Sequence, residues 1–286
     1  MFRKFTALFR PRPEACQPEG SPNNSPANST ASNITRCVGT YHKTGSVWMR
    51  RIFAAVAAEL DVTFSNISPS GAAPPVFGNG NILFHSSSRF PEELFSLPVK
   101  GVSIVRDPRD VVVSGAHYHS KGREPWLHTK NDLFGGKSYF DAINALEDIQ
   151  EKYRFEMRHQ AGWVIRQMHH ADGNEALHAF MQHNFSTIKY EALVKDVELV
   201  EVANICAHLQ VPFERIAPIF VKGSLFGQQN TDDIHIRSGE SQQWKTEFTQ
   251  ETAEAFASVH QEALIGLGYE IDDSWLKLLG DAKRLG

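Results

Sequence analysis

The 286-residue sequence has few cysteines, no excess of basic residues and no long apolar run. Its three cysteines, Cys16, Cys37 and Cys206, lie far apart and form no Cys-x-x-Cys pair, which argues against a disulfide framework and a structural zinc site. This pattern is typical of reduced thiols, so we predict a cytoplasmic protein. A net charge of -4 argues against a general nucleic-acid binder. No segment approaches the roughly 20 apolar residues of a membrane span, so we predict no membrane partner.

The composition does supply a hydrophobic core, because 41% of the residues are apolar and only 22% are charged. From Pro11 to about Asn33 the chain holds Pro, Ser, Asn, Ala and Glu without any large apolar residue. Such a segment buries too little apolar surface to offset the entropy lost on ordering. We therefore predict a disordered tail over residues 1–33 and a single domain over residues 34–286.

Strand and helix patterns alternate along that domain. Apolar runs predict strands at residues 34–41, 81–85, 99–105 and 185–190. Apolar residues at steps of three or four predict helices at residues 46–60, after Pro108, one or two within 138–170, at 196–209, and a final one from Thr249 to near Gly268. The alternation predicts an α/β protein with a P-loop-like three-layer fold, in which helices flank a central, mostly parallel sheet. The ligand is then expected at the carboxyl ends of the strands.

Residues 37–50 carry the strongest functional signal, because an apolar strand there runs through a short polar turn into an amphipathic helix. Such a turn directs unpaired backbone N–H groups and the positive end of the helix dipole at one spot, which favours a phosphate or sulfonate. Lys43 adds a charge, Thr44 and Ser46 add hydroxyls, and Gly45 permits close backbone approach. A merely solvated lysine is the alternative. The segment is not a Walker A loop, since its lysine precedes the glycine.

A second basic element, Arg106-Asp107-Pro108-Arg109-Asp110, follows the predicted strand at 99–105, and Ser114 lies one or two helical turns later. A guanidinium group binds phosphate with two parallel hydrogen bonds, so Arg106 and Ser114 are predicted to form a second anion site. For Arg109 and Asp110 we favour ion pairing within the helix start.

A third such element, Arg237-Ser238-Gly239, precedes Trp244-Lys245. As the third basic element in one chain, it supports the binding of a ligand with two separate anionic groups, because such a ligand needs contacts from different parts of the fold.

With Tyr190-Glu191-Ala192-Leu193, these motifs occur in the order and approximate spacing of the soluble sulfotransferases, which use 3′-phosphoadenosine 5′-phosphosulfate (PAPS). The resemblance covers residues 34–269. It implies that the 5′-phosphosulfate is bound by Lys43, Thr44, Gly45, Ser46, Val47 and Trp48. It implies that the 3′-phosphate is bound by Arg106, Ser114, Arg237, Ser238 and Gly239. Trp48 and Tyr190 are expected at the adenine, with Ser224 and Phe226 as neighbours.

The resemblance implies in-line transfer of a sulfuryl group to a hydroxyl or amine of a small-molecule acceptor, without a metal and with adenosine 3′,5′-bisphosphate (PAP) as product. Lys43, His85 and Ser114 are the candidate catalytic residues, and His85 is the candidate base. His117 and His119 are reserve candidates for the base. A non-catalytic nucleotide-binding module and a P-loop kinase or nucleoside triphosphatase are the alternatives.

The sequence also departs from the family pattern. His42 stands where the family usually has proline, and Leu83 stands where the animal enzymes commonly have lysine. The dimer signature of animal members is only partly kept, because Gln250 replaces its valine, so we predict a monomer or a weak homodimer. Residues 65–80 and 117–136 are predicted to be loops that line the acceptor pocket.

Overall fold

The structure, a computed structural model, describes residues 33–67, 75–223 and 241–282. Five parallel strands form a sheet at the centre of this part of the chain. They are β1 Thr35–Gly39, β2 Phe64–Ile67, β3 Ile82–His85, β4 Val99–Val105 and β5 Phe185–Lys189. Their order across the sheet is β2-β3-β1-β4-β5. All described residues belong to one compact unit, Ser32–Gly286. The predicted tail falls almost wholly on residues outside those described and stays a prediction.

The register of the strands sets where the functional loops meet. Gly39 at the end of β1 is paired with His85 on β3 and with Ser103 on β4. Because the three strands are parallel, their carboxyl ends lie along one edge of the sheet. The loop after β1, His85 at the end of β3 and Arg106 after β4 therefore share that edge.

Twelve α-helices are present in the described ranges: α1 Ser46–Leu60, α2 Pro108–His119, α3 Tyr139–Asn144, α4 Ile149–Arg158, α5 Gln160–Met168, α6 Glu175–Asn184, α7 Tyr190–Val194, α8 Val200–Leu209, α9 Phe213–Gly223, α10 Trp244–Glu247, α11 Gln250–Gly266 and α12 Trp275–Ala282. Short 3-10 helices occupy Glu92–Ser96, Pro125–His128 and Asp132–Phe134.

Helices cover both faces of the sheet. Successive strand residues point to opposite faces, so Val38 and Phe84 pack with α1, α8 and α9, whereas Cys37 and Leu83 pack with α6. A further apolar cluster joins α2, α4, α5 and α11 to Val105 at the end of β4. The α/β three-layer fold with a parallel sheet, predicted from the sequence, is confirmed.

Several predicted elements match closely, and others differ. The helix at residues 46–60 and the strand at 99–105 have the predicted bounds, and Thr249 is the N-cap of α11, as predicted. Residues 138–170 form three helices, because Ser138 and Asp148 each cap the start of a new one through a side-chain oxygen. α11 is not the last helix, since α12 follows it. Part of the predicted loop at 65–80 belongs to β2, a four-residue edge strand.

Candidate active site

The loop between β1 and α1 is held in shape by its own hydroxyl groups. The hydroxyl of Thr44, which is fully buried, donates to the carbonyl oxygen of Tyr41 at 2.9 Å and accepts from the Tyr41 N–H at 2.8 Å. The Ser46 hydroxyl donates to the same carbonyl at 2.9 Å and accepts from the Thr40 hydroxyl at 2.8 Å. Both hydroxyl protons, proposed from the sequence as donors to a ligand, are used in this structure to fix the loop backbone.

Lys43 and Gly45 both have left-handed backbone conformations, with φ of 68° and 93°. A non-glycine residue in this region is uncommon and indicates that the surroundings enforce the conformation. The Lys43 ammonium lies 3.5 Å from the centre of the Tyr118 ring. Burial, and next the charge of Arg106, lower the pKa of Lys43 to about 8. Lys43 thus carries a charge that is easily lost at moderately alkaline pH unless an anion stabilises it.

Aromatic side chains enclose the other side of the loop. Tyr190, the first residue of α7, packs so closely on Gly45 that a Cβ atom there would lie 3.1 Å from its ring. The Trp48 ring meets Tyr190 edge-on, with centroids 6.0 Å apart. Its indole N–H donates to the Gly223 carbonyl at 2.7 Å. Val47, which directly precedes Trp48 in the first turn of α1, is half-buried.

Arg106 connects the second motif to the first. Its side chain is buried, its Nη1 donates to the carbonyl oxygen of Lys43 at 3.0 Å, and its guanidinium carbon lies 4.8 Å from the centre of the Tyr190 ring. Asp110 lies 4.0 Å from the same guanidinium. Half-buried Ser114 is one turn further along α2. The structure therefore brings together Lys43, Arg106 and Tyr190, which three separate motifs supply.

Arg109 belongs to a structural ion-pair network. It donates hydrogen bonds to both carboxylate oxygens of Asp107, at 3.0 and 2.8 Å, and forms an ion pair with Glu270 at 2.7 Å. Its guanidinium also stacks on Trp244, 3.7 Å from the ring centre. The interpretation of Arg109 as an ion-pairing residue is confirmed.

Asp110 anchors the backbone at Gln242 and Trp244, at the start of α10. Its carboxylate accepts backbone N–H bonds from Gln242 at 2.7 Å and Trp244 at 3.1 Å. Burial raises the pKa of Asp110 to about 6, although Arg106 acts in the opposite direction. These bonds anchor the backbone directly after the third predicted motif.

His85 is buried at the end of β3. Its Nδ1 accepts the backbone N–H of Ser87 at 3.1 Å, so a neutral ring carries its proton on Nε2. Burial, and next the charge of Arg89, lower the pKa of His85 to about 4. The ring is therefore neutral at physiological pH and can donate a hydrogen bond from Nε2.

The reserve histidines have different surroundings. His117 is partly buried, and its Nε2 lies 3.1 Å from the Tyr153 hydroxyl and 3.6 Å from a carboxylate oxygen of Glu247, whereas His119 is fully buried. His119 contacts His42 on one side and Glu156 on the other. Glu156 was not recognised in the sequence, although it lies three residues after Tyr153 on a predicted apolar stripe, where an acidic residue is a signal of function.

Residues 83–268, about two thirds of the chain, match the family described as Sulfotransferase domain. The chain belongs to the sulfotransferase family. The predicted family and enzyme class are thus confirmed, and the kinase, triphosphatase and non-catalytic alternatives are not favoured. The match includes both Arg106 and Tyr190.

The sulfotransferase is 24% identical to guinea-pig (Cavia porcellus) 3-beta-hydroxysteroid sulfotransferase, over 79% of this chain and 82% of that protein. It is 27% identical to mouse (Mus musculus) Sulfotransferase 2B1, over 80% of this chain and 70% of that protein. Its fold is similar to mouse sulfotransferase SULT7A1 complexed with PAP, with a TM-score of 0.54, 15% identity and 90% of each chain covered. It is also similar to retinol dehydratase in complex with androsterone and PAP, with a TM-score of 0.53, 16% identity and 80% of each chain covered.

Five predicted site residues of the sulfotransferase, Ser224, Phe226, Arg237, Ser238 and Gly239, lie outside the described residues, so their roles stay predictions. In the ranges that are described, no group of three or more His, Cys, Asp or Glu side chains is arranged to hold a metal ion. No helix there is both long and apolar enough to cross a membrane.

Proposed function

We propose that this sulfotransferase transfers the sulfuryl group of PAPS to a hydroxyl group of a small, largely apolar acceptor. The observation that carries the proposal is the meeting of Lys43, Arg106 and Tyr190 around the start of α1, with Arg106 bonded to the Lys43 carbonyl at 3.0 Å. Two cations and an aromatic ring beside a helix N-terminus fit a nucleotide that carries two separate anionic groups. The PAP complexes named among the similar structures support the same ligand.

Within this proposal, Lys43 and the N–H groups at the start of α1 hold the 5′-phosphosulfate. When bound, PAPS supplies an activated sulfuryl group and a phosphate leaving group. Negative charge develops on the leaving oxygen in the transition state, and a positioned ammonium stabilises it more there than in the ground state. Arg106 and Ser114 hold the 3′-phosphate, while Trp48 and Tyr190 contact the adenine. His85 contacts the acceptor, for which its Nε2–H provides a hydrogen-bond donor.

An apolar acceptor is supported by the residues near the loop. Trp126, a large aromatic side chain beside this loop, is 39% exposed and so offers an apolar surface to a ligand. Trp126 also lies edge-on to the His42 ring, next to Lys43. The relatives named for hydroxysteroids and the androsterone complex support an acceptor of this class.

The test is transfer of label from radiolabelled PAPS to a panel that contains 2-naphthol, androsterone and an aliphatic amine. Wild-type protein is expected to sulfate at least one hydroxyl compound, and Lys43→Ala is expected to lower kcat by about a hundredfold or more. Lys195→Ala, which removes an exposed lysine from the end of α7, is the matched control and should retain full activity. Full activity of the Lys43 variant, or failure of wild-type protein to bind PAP, would refute the proposal.

A further inference from the structure

The carboxylate of Glu191 joins two of the motifs that supply the nucleotide site. One of its oxygens accepts the backbone N–H of Asp107 at 2.9 Å, and the other accepts the Tyr269 hydroxyl at 2.8 Å. In the chain, Glu191 directly follows Tyr190. Asp107 in turn directly follows Arg106. The carboxylate therefore links the residues that come immediately after two proposed nucleotide contacts.

This link begins where the backbone pairing of two neighbouring strands ends. Val105 of β4 and Lys189 of β5 are the last residues that pair. Beyond them the two backbones turn into α2 and α7, so they leave the sheet and no longer bond to each other. The Glu191 side chain spans the gap between them. It holds the two strand ends together one residue after Arg106 and Tyr190.

The same bond satisfies a backbone donor at the start of α2. Asp107 is the N-cap of this helix, and Asp110 occupies the position from which a glutamate side chain often bonds to the N-cap N–H. Here the Asp110 carboxylate accepts from Gln242 and Trp244 instead. Glu191, from a different helix, supplies the acceptor. A capping role alone would change the stability of the fold and nothing else.

Tyr269 orients the Glu191 carboxylate. Burial, and next the charge of Glu191, raise the pKa of Tyr269 well above its ordinary value, so the hydroxyl keeps its proton and donates. The Tyr269 backbone N–H bonds to the Leu264 carbonyl at 2.8 Å, and the Lys189 ammonium lies 4.3 Å from the centre of its ring. The tyrosine is thus held at its backbone and its ring. Its bond to one carboxylate oxygen directs the other oxygen at Asp107.

The two side chains next to this link face each other. The guanidinium carbon of Arg106 lies 4.8 Å from the centre of the Tyr190 ring, and Arg106 Nη1 donates to the Lys43 carbonyl. An arginine that binds a phosphate with two parallel bonds needs a fixed orientation, and a ring that stacks on a base needs a fixed plane. Such side chains require supporting residues that hold them to within about 0.5 Å. The Glu191 bond provides this support at the point where both chains leave the sheet.

We propose that Glu191, oriented by Tyr269, is a positioning residue for the binding of PAPS and PAP. The inference rests on the proposed function, because it takes Arg106 and Tyr190 as nucleotide contacts. Glu191 acts through the Asp107 N–H and not on the ligand, since a carboxylate in contact with a phosphate would repel it. It therefore raises nucleotide affinity through its hydrogen bonds and in spite of its charge.

The binding test is calorimetry with PAP, and the matched control is Glu198→Ala, which removes an exposed glutamate between α7 and α8. We expect Glu191→Ala to raise the PAP dissociation constant about tenfold, and Glu198→Ala to match wild type. Glu191→Gln keeps an acceptor for the Asp107 N–H and a donor for the Tyr269 oxygen, so its dissociation constant should stay within about threefold of wild type. Tyr269→Phe should fall between the two Glu191 variants. Wild-type affinity in Glu191→Ala, or in Tyr269→Phe should Glu191→Ala not fold, would overturn the proposal.

Kinetics separate positioning from a purely structural role. Glu191→Ala should raise the KM for PAPS about tenfold and leave kcat within about twofold, because Arg106 and Tyr190 contact parts of the nucleotide that do not react. A variant that only folds less well has fewer active molecules, so it loses kcat at unchanged KM. Arg109→Met provides that comparison, since Arg109 pairs with the Asp107 carboxylate and not with its N–H. A loss of kcat at unchanged KM in Glu191→Ala would overturn the proposal.

Hydrogen exchange of the free protein tests the bond itself and requires no ligand. The Asp107 amide, followed by NMR, should exchange at least about tenfold faster in Glu191→Ala than in wild type, because its acceptor is removed. Glu198→Ala should leave the exchange rate unchanged. A wild-type exchange rate in folded Glu191→Ala would overturn the inference even where wild-type protein binds PAP. Failure of wild-type protein to bind PAP would instead refute the proposed function.

Discussion

Arg106 donates a hydrogen bond from Nη1 to the backbone carbonyl oxygen of Lys43 at 3.0 Å, although 63 residues separate the two in sequence. The bond joins the motif after β4 to the loop after β1. Lys43 has a left-handed backbone at this point, and the Arg106 bond helps to hold it there. A residue proposed to bind the 3′-phosphate therefore also fixes the loop proposed to bind the 5′-phosphosulfate.

Replacing Arg106 should weaken nucleotide binding more than loss of one phosphate contact would. In Arg106→Lys the charge remains, but a single ammonium cannot bond to the Lys43 carbonyl and bind a phosphate with two parallel bonds. We expect the PAP dissociation constant, measured by calorimetry, to rise at least about tenfold. Arg166→Lys on the exposed side of α5 should bind PAP as wild type does. Equal affinities of the two variants would contradict this prediction.

Nucleotide affinity should fall as pH rises above about 8, because burial and Arg106 lower the pKa of Lys43 to about 8. The phosphates of PAP are already fully ionised in that range, so the loss of charge on Lys43 is the change that matters. Calorimetric titrations between about pH 7 and 10 should detect this fall, together with proton uptake on binding. Lys43→Met should bind more weakly and show neither effect.

The same lowered pKa has a consequence for the stability of the free protein. The unfolded chain holds the Lys43 proton up to its ordinary pKa near 10.5, whereas the folded chain loses it near 8. The unfolded state binds more protons in between, so this group makes the wild type more stable as pH rises from about 8 to 10.5. Lys43→Met should exceed the wild type in free energy of unfolding below pH 8, and the difference should shrink by pH 10. Urea denaturation at both pH values measures it, and a constant difference would be the contrary result.

Gly45→Ala should impair both stability and nucleotide binding, because the glycine has φ of 93° and its Cβ position is 3.1 Å from the Tyr190 ring. The matched control is Gly173→Ala, whose φ of 85° is similar but whose Cβ position is open. Each backbone conformation should cost about 1 kcal/mol. Thermal unfolding and PAP binding of the two variants separate the shared backbone cost from the clash. We expect only Gly45→Ala to lose affinity for PAP, by about tenfold.

Arg109→Met should reduce stability without a matching loss of nucleotide affinity. The substitution leaves the Asp107 carboxylate, which is almost completely buried, without its charged partner, at a cost of about 3 kcal/mol. Arg154→Met breaks a pair with a largely exposed Glu251 and should cost less than about 1 kcal/mol. Chemical denaturation measures both values. A loss of PAP affinity in folded Arg109→Met as large as that in Arg106→Lys would show that Arg109 belongs to the binding site.

Local sequence determined those helices and strands whose pattern of apolar, polar and capping residues is complete within the element itself. The bounds of α1 follow from a polar turn and an apolar face, and β4 follows from an apolar run next to a charged turn. The Thr249 cap is equally local, since its hydroxyl bonds to a backbone N–H three residues away. α9 was missed because Pro218 lies inside it, and β2 because a four-residue edge strand has little pattern.

The sequence by itself also determined that three basic motifs follow one another in the order of a sulfotransferase. Only tertiary structure decided what each side chain contacts. Arg106 and Arg109 are three residues apart, yet one bonds to the Lys43 loop and the other to a buried ion-pair network, because Arg106 precedes α2 whereas Arg109 lies in its first turn. His42, His119 and Glu156 meet over separations of 77 and 37 residues. Their contacts depend on how α2 and α4 pack against the loop, which no local pattern specifies.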